Sequence, residues 1–299
     1  MKVAAPGKLL LSGAYAVLDG APALVVAVDR RAIADGATRA TNPTPEVLAA
    51  LSADEAPQVD ASALREGELK LGLGSSAAML VASIGVKASR LGRDLRDASV
   101  RHALFADARR AHAQVQGGGS GVDVAASVYG GALAFSLEPG GAATVTPAPL
   151  PAGLVLDVFW CGAPAITSSM RARVDALRQR DGATYRARTQ DIATASSSVL
   201  AAGATNDVAA FVRAAQHGGA ALAALGHDAD APIFPPSTSA LVPIAESEGA
   251  AFVPSGAGGG DVFVHIGARP SSARFRAAAT AAGLRLVPMN LDLDGVRLS

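Results

Sequence analysis

The stretch Lys70-Leu71-Gly72-Leu73-Gly74-Ser75-Ser76-Ala77-Ala78 opens an alanine-rich run that continues to about Arg90, with Met79, Leu80, Ile84 and Val86 as its apolar surface. A glycine loop running into a helix start exposes backbone N–H groups, and the helix dipole adds partial positive charge at the same place. That corner suits a phosphate. The hydroxyls of Ser75 and Ser76 can donate to it, or ligate Mg²⁺ through oxygen. Glycines also make ordinary turns, so the stretch has to be weighed with the rest of the chain. It is not a P-loop, because Gly7-Lys8 has neither a glycine five positions earlier nor a Ser or Thr after it. Gly72-x-Gly74-x-x-Ala77 satisfies the looser dinucleotide pattern, but Glu66-Gly67-Glu68 stands where a buried strand is required.

Two other segments share this character. Pro6-Gly7-Lys8 leads to Ser12-Gly13-Ala14-Tyr15, and Pro254-Ser255-Gly256-Ala257-Gly258-Gly259-Gly260-Asp261 precedes a strand-like run. The chain has four lysines, and two of them, Lys8 and Lys70, fall inside the glycine-rich segments. A compact, rotatable ammonium can follow a moving phosphoryl group; with so few lysines, chance placement is the competing reading. Asp123 is the expected reacting carboxylate. It follows Gln116-Gly-Gly-Gly-Ser120-Gly121-Val at the start of a helical run. A cap is the ordinary use of such an aspartate, but the triple glycine before it favours a backbone that comes close to a ligand.

Composition narrows the class. With 299 residues, half of them hydrophobic and 17% charged, the chain can bury one large core or two smaller ones. Lys plus Arg balance Asp plus Glu at 26 each, so no net field recruits nucleic acid or an anionic membrane. An anionic small-molecule partner must then be held by a local site. Pro6-Gly7-Lys8 interrupts the apolar amino terminus, and no uninterrupted apolar run reaches 18 residues, so neither a signal segment nor a membrane span is expected. A soluble cytoplasmic protein is the expectation. Cys161, the single cysteine, reads as a small core residue. The five histidines lack metal-site spacing and read mostly as surface or packing residues. Arg171, Arg173, Arg178 and Arg180 read as a solvated face that could also clamp an anion.

Strand and helix patterns alternate in both halves, which predicts an α/β or α+β protein. Ala23–Val28 reads as a buried strand, and further strands are expected at 131–137, 153–160, 249–253, 261–266 and 284–288. Helices are expected at 97–116, 168–180, 184–202, 206–225 and 236–248. The glycines and prolines between 140 and 151 mark the best linker candidate, and hence a division into 1–150 and 151–299.

Taken in order, the three glycine-rich segments resemble the three signature motifs of the GHMP kinases. Pro6-Gly7-Lys8 with Gly13 is similar to the first, Gly72-Leu-Gly-Ser-Ser-Ala-Ala78 to the second, and Ser255-Gly-Ala-Gly-Gly-Gly-Asp261 to the third. Asp60-Ala-Ser62 before motif two, Ala111-His112 before Gln116-Gly, and Trp160-Cys-Gly-Ala-Pro-Ala-Ile-Thr167 look most like the phosphomevalonate kinase branch. The resemblance implies an α+β fold, with an amino-terminal domain containing a left-handed crossover, a ferredoxin-like carboxy-terminal domain, and ATP with Mg²⁺ in the cleft between them.

It also implies roles. Lys8 and Asp123 would be catalytic. Lys70, Gly72, Gly74, Ser75, Ser76 and Ala77 would hold the nucleotide, with Ser76 on the metal. Ser120, Gly121, Thr167, Ser255, Gly256, Ala257 and Gly258 would face the acceptor, most nearly 5-phosphomevalonate. Two departures stand out. Ala14 replaces the glutamate of mevalonate kinases, and His112 occupies the position of a glutamate that some members use on Mg²⁺. Imidazole is a poor Mg²⁺ ligand. Mevalonate, homoserine or sugar kinases, a diphosphomevalonate decarboxylase and a non-catalytic sensor are the alternatives.

Overall fold

The computed structural model describes residues 1–162 and 167–299, without the side chain of Thr167. In chain order the elements are β1 (Lys2–Ser12), β2 (Ala23–Arg39), α1 (Pro45–Ala50), β3 (Pro57–Asp60), β4 (Arg65–Glu66), β5 (Leu69–Lys70), α2 (Ser75–Arg90), α3 (Ala98–Gln116) and α4 (Val122–Tyr129). There follow β6 (Ala132–Leu137), β7 (Ala143–Pro147), β8 (Val155–Trp160), α5 (Thr167–Arg180), α6 (Gly182–Ala204), α7 (Val208–Asp228), α8 (Pro236–Ser239) and α9 (Val242–Ser247). The chain ends with β9 (Ala251–Pro254), β10 (Val262–Gly267), α10 (Ala273–Ala281), β11 (Arg285–Leu286) and β12 (Arg297–Leu298).

Residues Met1–Leu9, Val25–Leu133 and Met289–Ser299 form one compact unit, and Leu10–Leu24 with Ala134–Pro288 form another. The sequence reading divides the chain at residue 150. The compact units are drawn differently, because the last eleven residues pack with the first unit and residues 10–24 with the second.

In the first unit β12 pairs antiparallel with β1, and β3 pairs antiparallel with β2. Helix α2 lies tightly on β1: a Cβ at Gly85 would stand 2.8 Å from Val3 Cγ1. Strand β2 is longer than the apolar run Ala23–Val28 predicts. Beyond Val28 the backbone keeps its two-residue period, but only the small Ala32 and Ala34 are buried. Helix α3 starts where expected, with Asp97 accepting from Ser99 N and Val100 N. The carboxy-terminal segment straps the end of α4: Val296 N donates to Val128 O, and Gly131 N donates to Asp292 O. Gly130 and Gly295 are both at positive φ, and their backbones approach too closely for a Cβ on either.

The second unit holds the sheet β11-β8-β10-β9, antiparallel throughout. Strand, helices, hairpin, helix and strand in that spatial order make the ferredoxin-like arrangement. Phe159, Phe252, Phe263 and Phe275 stack through mostly edge-on contacts at its centre. Two expectations are corrected here. The linker candidate contains β7, turned back on β6 through Glu138 N to Ala142 O; its glycines make the turn. The helix expected over 236–248 is two short ones, because Pro243 has no N–H to offer the carbonyl of Ser239. Among the described residues no helix is long and apolar enough to cross a membrane.

His265 lies in this core against Phe275, and neither ring nitrogen has a hydrogen-bond partner among the described residues. Burial holds its imidazole below the ordinary histidine value, against an opposite pull from Asp157 and Glu248. The unfolded chain therefore takes up a proton that the folded chain refuses. Stability is full above about pH 6.5 and falls as the pH drops below it. Thermal unfolding between pH 7.5 and pH 5.5 should show this slope, and His265→Leu should flatten it. An unchanged slope in the variant would remove His265 from the account.

Candidate active site

Gly74 sits at φ +73° as the residue before α2, with no side chain capping the helix. An L-residue there would be strained by about 1–2 kcal/mol. The added Cβ would also stand 3.0 Å from Lys8 Cγ and 3.5 Å from Asp123 Cβ. The helix start thus leaves its N–H groups to the space that Lys8 and Asp123 border. The sequence reading expects a phosphate at this place, and an uncapped helix start suits one.

Lys8 is fixed by its own strand: its N–H donates to Leu73 O at 2.9 Å, and its Nζ donates to Gly72 O at 3.3 Å. The ammonium is therefore held over the glycine loop. Asp123 is the second residue of α4, after Gly121 and Val122, so it is not the cap. Its Oδ1 accepts from Val124 N at 3.0 Å. Its Oδ2 lies 3.6 Å from Nε2 of His112, which lies 3.3 Å from Ser76 Oγ. The side chains of His112 and Asp123 are only 12% and 21% exposed, so the imidazole bridges α2 and α4 in a half-dry setting.

The loop before α4 is held from α3. Arg109 Nε donates to Ser120 O at 2.9 Å, and the Arg109 stem packs where a Cβ on Gly121 would fall, at 2.7 Å. Gly117, Gly118, Gly119 and Gly121 all have positive φ, so the triple glycine is required by backbone shape. Ser120 is buried, and its Oγ accepts from Val122 N. Gln116 donates to the buried Glu46 at 2.7 Å, tying the end of α3 to α1.

Of the residues expected at the site, Lys8, Gly72, Gly74, Ser76 and Asp123 are brought together directly, with Ser75 and Ala77 in the first turn of α2 and Ser120 and Gly121 leading into α4. Lys70 is exposed in β5 and stands outside this cluster. Arg109 was missed; a lone arginine on a helix gives no signal for what its stem covers. His112 was noticed only as a departure, and its place between Ser76 and Asp123 comes from the packing of α2, α3 and α4.

In the second unit Ser255 Oγ accepts from Leu10 N at 2.9 Å, and Ala257 O accepts from the buried Tyr15 hydroxyl at 2.6 Å. Gly258, at φ +72°, passes so close to Ile233 that a Cβ would be 2.4 Å from its carbonyl oxygen. Ser255, Ala257 and Gly258 therefore have structural duties. Arg173 pairs with Asp230, and Arg178 pairs with Asp19 and covers the Tyr185 ring. Burial and Asp261 push the Cys161 thiol up to about 12, which leaves it unreactive, as expected of a packing residue. Four residues of the expected acceptor segment, 163–166, and the side chain of Thr167 lie outside the described residues.

Residues 46–131 match the GHMP kinases N terminal domain. The α+β architecture is consistent with that match; the chain has the GHMP kinase fold and is a phosphotransferase. In sequence it is similar to a phosphomevalonate kinase. It is 28% identical to the phosphomevalonate kinase of Streptomyces sp. (strain CL190), over 82% of this chain and 84% of that one. The Streptococcus pneumoniae phosphomevalonate kinase in complex with phosphomevalonate and AMPPNP superposes with a TM-score of 0.78 at 18% identity, over 97% and 99% of the two chains. A Lin0012 protein from Listeria innocua gives a TM-score of 0.82 at 21% identity, over 100% and 99%. Mevalonate and homoserine kinases share the fold as well.

Proposed function

We propose that this chain transfers the γ-phosphoryl group of ATP to 5-phosphomevalonate, giving 5-diphosphomevalonate and ADP in isoprenoid precursor synthesis. One observation carries the reading: Lys8 and Asp123 flank Gly74 at the uncapped start of α2. The N–H groups of Ser75, Ser76 and Ala77 receive the nucleotide phosphates. Lys8 stabilises charge on the group in transfer, and Asp123 orients both Lys8 and the acceptor. Such positioning and charge stabilisation are what phosphoryl transfer asks of a protein.

Among the described residues no group of three or more His, Cys, Asp and Glu side chains could hold a metal. Ser76 Oγ and Asp123 do offer oxygen beside the corner, which fits a Mg²⁺ ion held mainly by phosphate and water oxygens. Bound there, the ion would neutralise phosphate charge. His112 keeps Ser76 and Asp123 in place instead of serving as a ligand.

Residues 1–150 would carry nucleotide binding and catalysis, and 151–299 the ferredoxin-like domain. Thr167, Ser255, Gly256, Ala257 and Gly258 stay in the proposed acceptor set, and Lys70 in the nucleotide set. A cytoplasmic location goes with this reading. The test is ADP release against a panel of 5-phosphomevalonate, mevalonate, homoserine and sugars, with carbon dioxide followed alongside. Release with 5-phosphomevalonate alone and no carbon dioxide supports the proposal. Release with an alcohol alone, or with carbon dioxide, would reassign the acceptor or the chemistry.

A further inference from the structure

In the first unit, a cavity of about 280 Å³ is lined by Arg96, Arg101, Leu293, Asp294 and Arg297. Three guanidinium groups thus face one carboxylate, in a chain whose charges balance overall. Arg101 donates to three backbone carbonyls: Nε to Leu95 O at 2.9 Å, Nη1 to Tyr129 O at 3.4 Å and Nη2 to Asp294 O at 2.6 Å. Carbonyl dipoles orient that charge without neutralising it. Arg297 pairs with Asp294. The Arg96 guanidinium makes no hydrogen bond or ion pair among the described residues; only its backbone N–H is used, by Asp94. Asp94 and Asp97 are not among the residues lining the cavity, and both accept from backbone N–H groups. Among the lining side chains positive charges exceed negative ones by two, and Arg96 keeps unspent donors in planar, forked geometry.

We propose that this cavity binds the phosphate groups of a small metabolite, best a diphosphate, at a site separate from the α2 corner. Its position gives binding a consequence. Arg101 joins α3 to Tyr129 at the end of α4 and to Asp294 in the carboxy-terminal strap. Helix α3 also carries Arg109 and His112, and α4 carries Asp123. An anion drawn between Arg96, Arg101 and Arg297 tightens the strap on the end of the helix that presents Asp123.

The test is calorimetric titration of pyrophosphate into protein saturated with AMPPNP, so that the α2 corner is filled, at constant ionic strength set with sodium chloride. One binding event is expected. Its affinity should fall about 10-fold or more in Arg96→Ser and again in Arg297→Ser, as loss of a charge-assisted contact requires. Arg96 is exposed and unbonded through its side chain, so its variant should keep the wild-type Tm without anion. Inorganic phosphate should bind more weakly than pyrophosphate. Pyrophosphate binding that AMPPNP abolishes, or that both substitutions leave unchanged, would overturn the proposal.

Discussion

Lys8→Met should lower kcat by about 10²–10³-fold while the protein keeps its fold and Tm. The size follows from removing one preorganised charge aimed at the transferring group. The fold should survive because the backbone of Lys8 makes the bond to Leu73, and a methionine stem fills the same space beside Gly74. Nζ gives up its bond to Gly72 O, a carbonyl on a half-buried loop. Steady-state kinetics with circular dichroism and thermal unfolding of both proteins decide it. A well-folded Lys8→Met protein with full turnover would take Lys8 out of the mechanism.

Asp123→Asn is the second large effect, and its pH dependence says more than its size. An alcohol acceptor must lose a proton, and a carboxylate base would then contribute about 10²–10⁴-fold. A phosphomonoester has its second pKa near about 6 and is already largely dianionic at neutral pH, so it needs no strong base. Beside such an acceptor a second anion is repulsive unless Lys8 or Mg²⁺ offsets it. Asp123 should therefore act by orienting its neighbours. The asparagine keeps an acceptor for Val124 N, so α4 should start as before. The expected result is a lower kcat with a pH–rate profile only slightly flatter between about pH 6 and about pH 9. A clean acidic limb in the wild type that vanishes in Asp123→Asn would make Asp123 a general base and favour an alcohol acceptor.

Much of the Lys8–Gly74–Asp123 corner is legible in the sequence because its signals are local. Glycine before a helix, hydroxyls in the first turn and an aspartate after a triple glycine all act within a few residues, and they reappear around Gly74, Ser76 and Asp123. What was not legible depends on packing between distant segments. The second half of β2 hides behind alanines, whose burial leaves no hydrophobic pattern. The strap of residues 289–299 mixes apolar and polar residues around Gly295, and Arg31 pairs with the buried Asp292 and donates to Gly295 O. No local pattern announces that contact. His112 could be flagged by its spacing from Asp123, but only the crossing of three helices puts its ring against Ser76. Motif three shows the opposite limit. Ser255 and Gly258 read as ligand contacts, and each also answers to a backbone neighbour hundreds or tens of residues away.

In the proposed reaction this corner joins a phosphoryl group to an acceptor that already carries one. Phosphorus NMR of a reaction containing the protein, ATP, Mg²⁺ and 5-phosphomevalonate tests it most directly. The acceptor's single phosphomonoester resonance should be replaced by a coupled pair from a new P–O–P linkage, alongside ADP, and Lys8→Met should slow this replacement in step with ADP release. An acceptor resonance that stays unsplit while ATP is consumed, or a second uncoupled monoester signal, would contradict it.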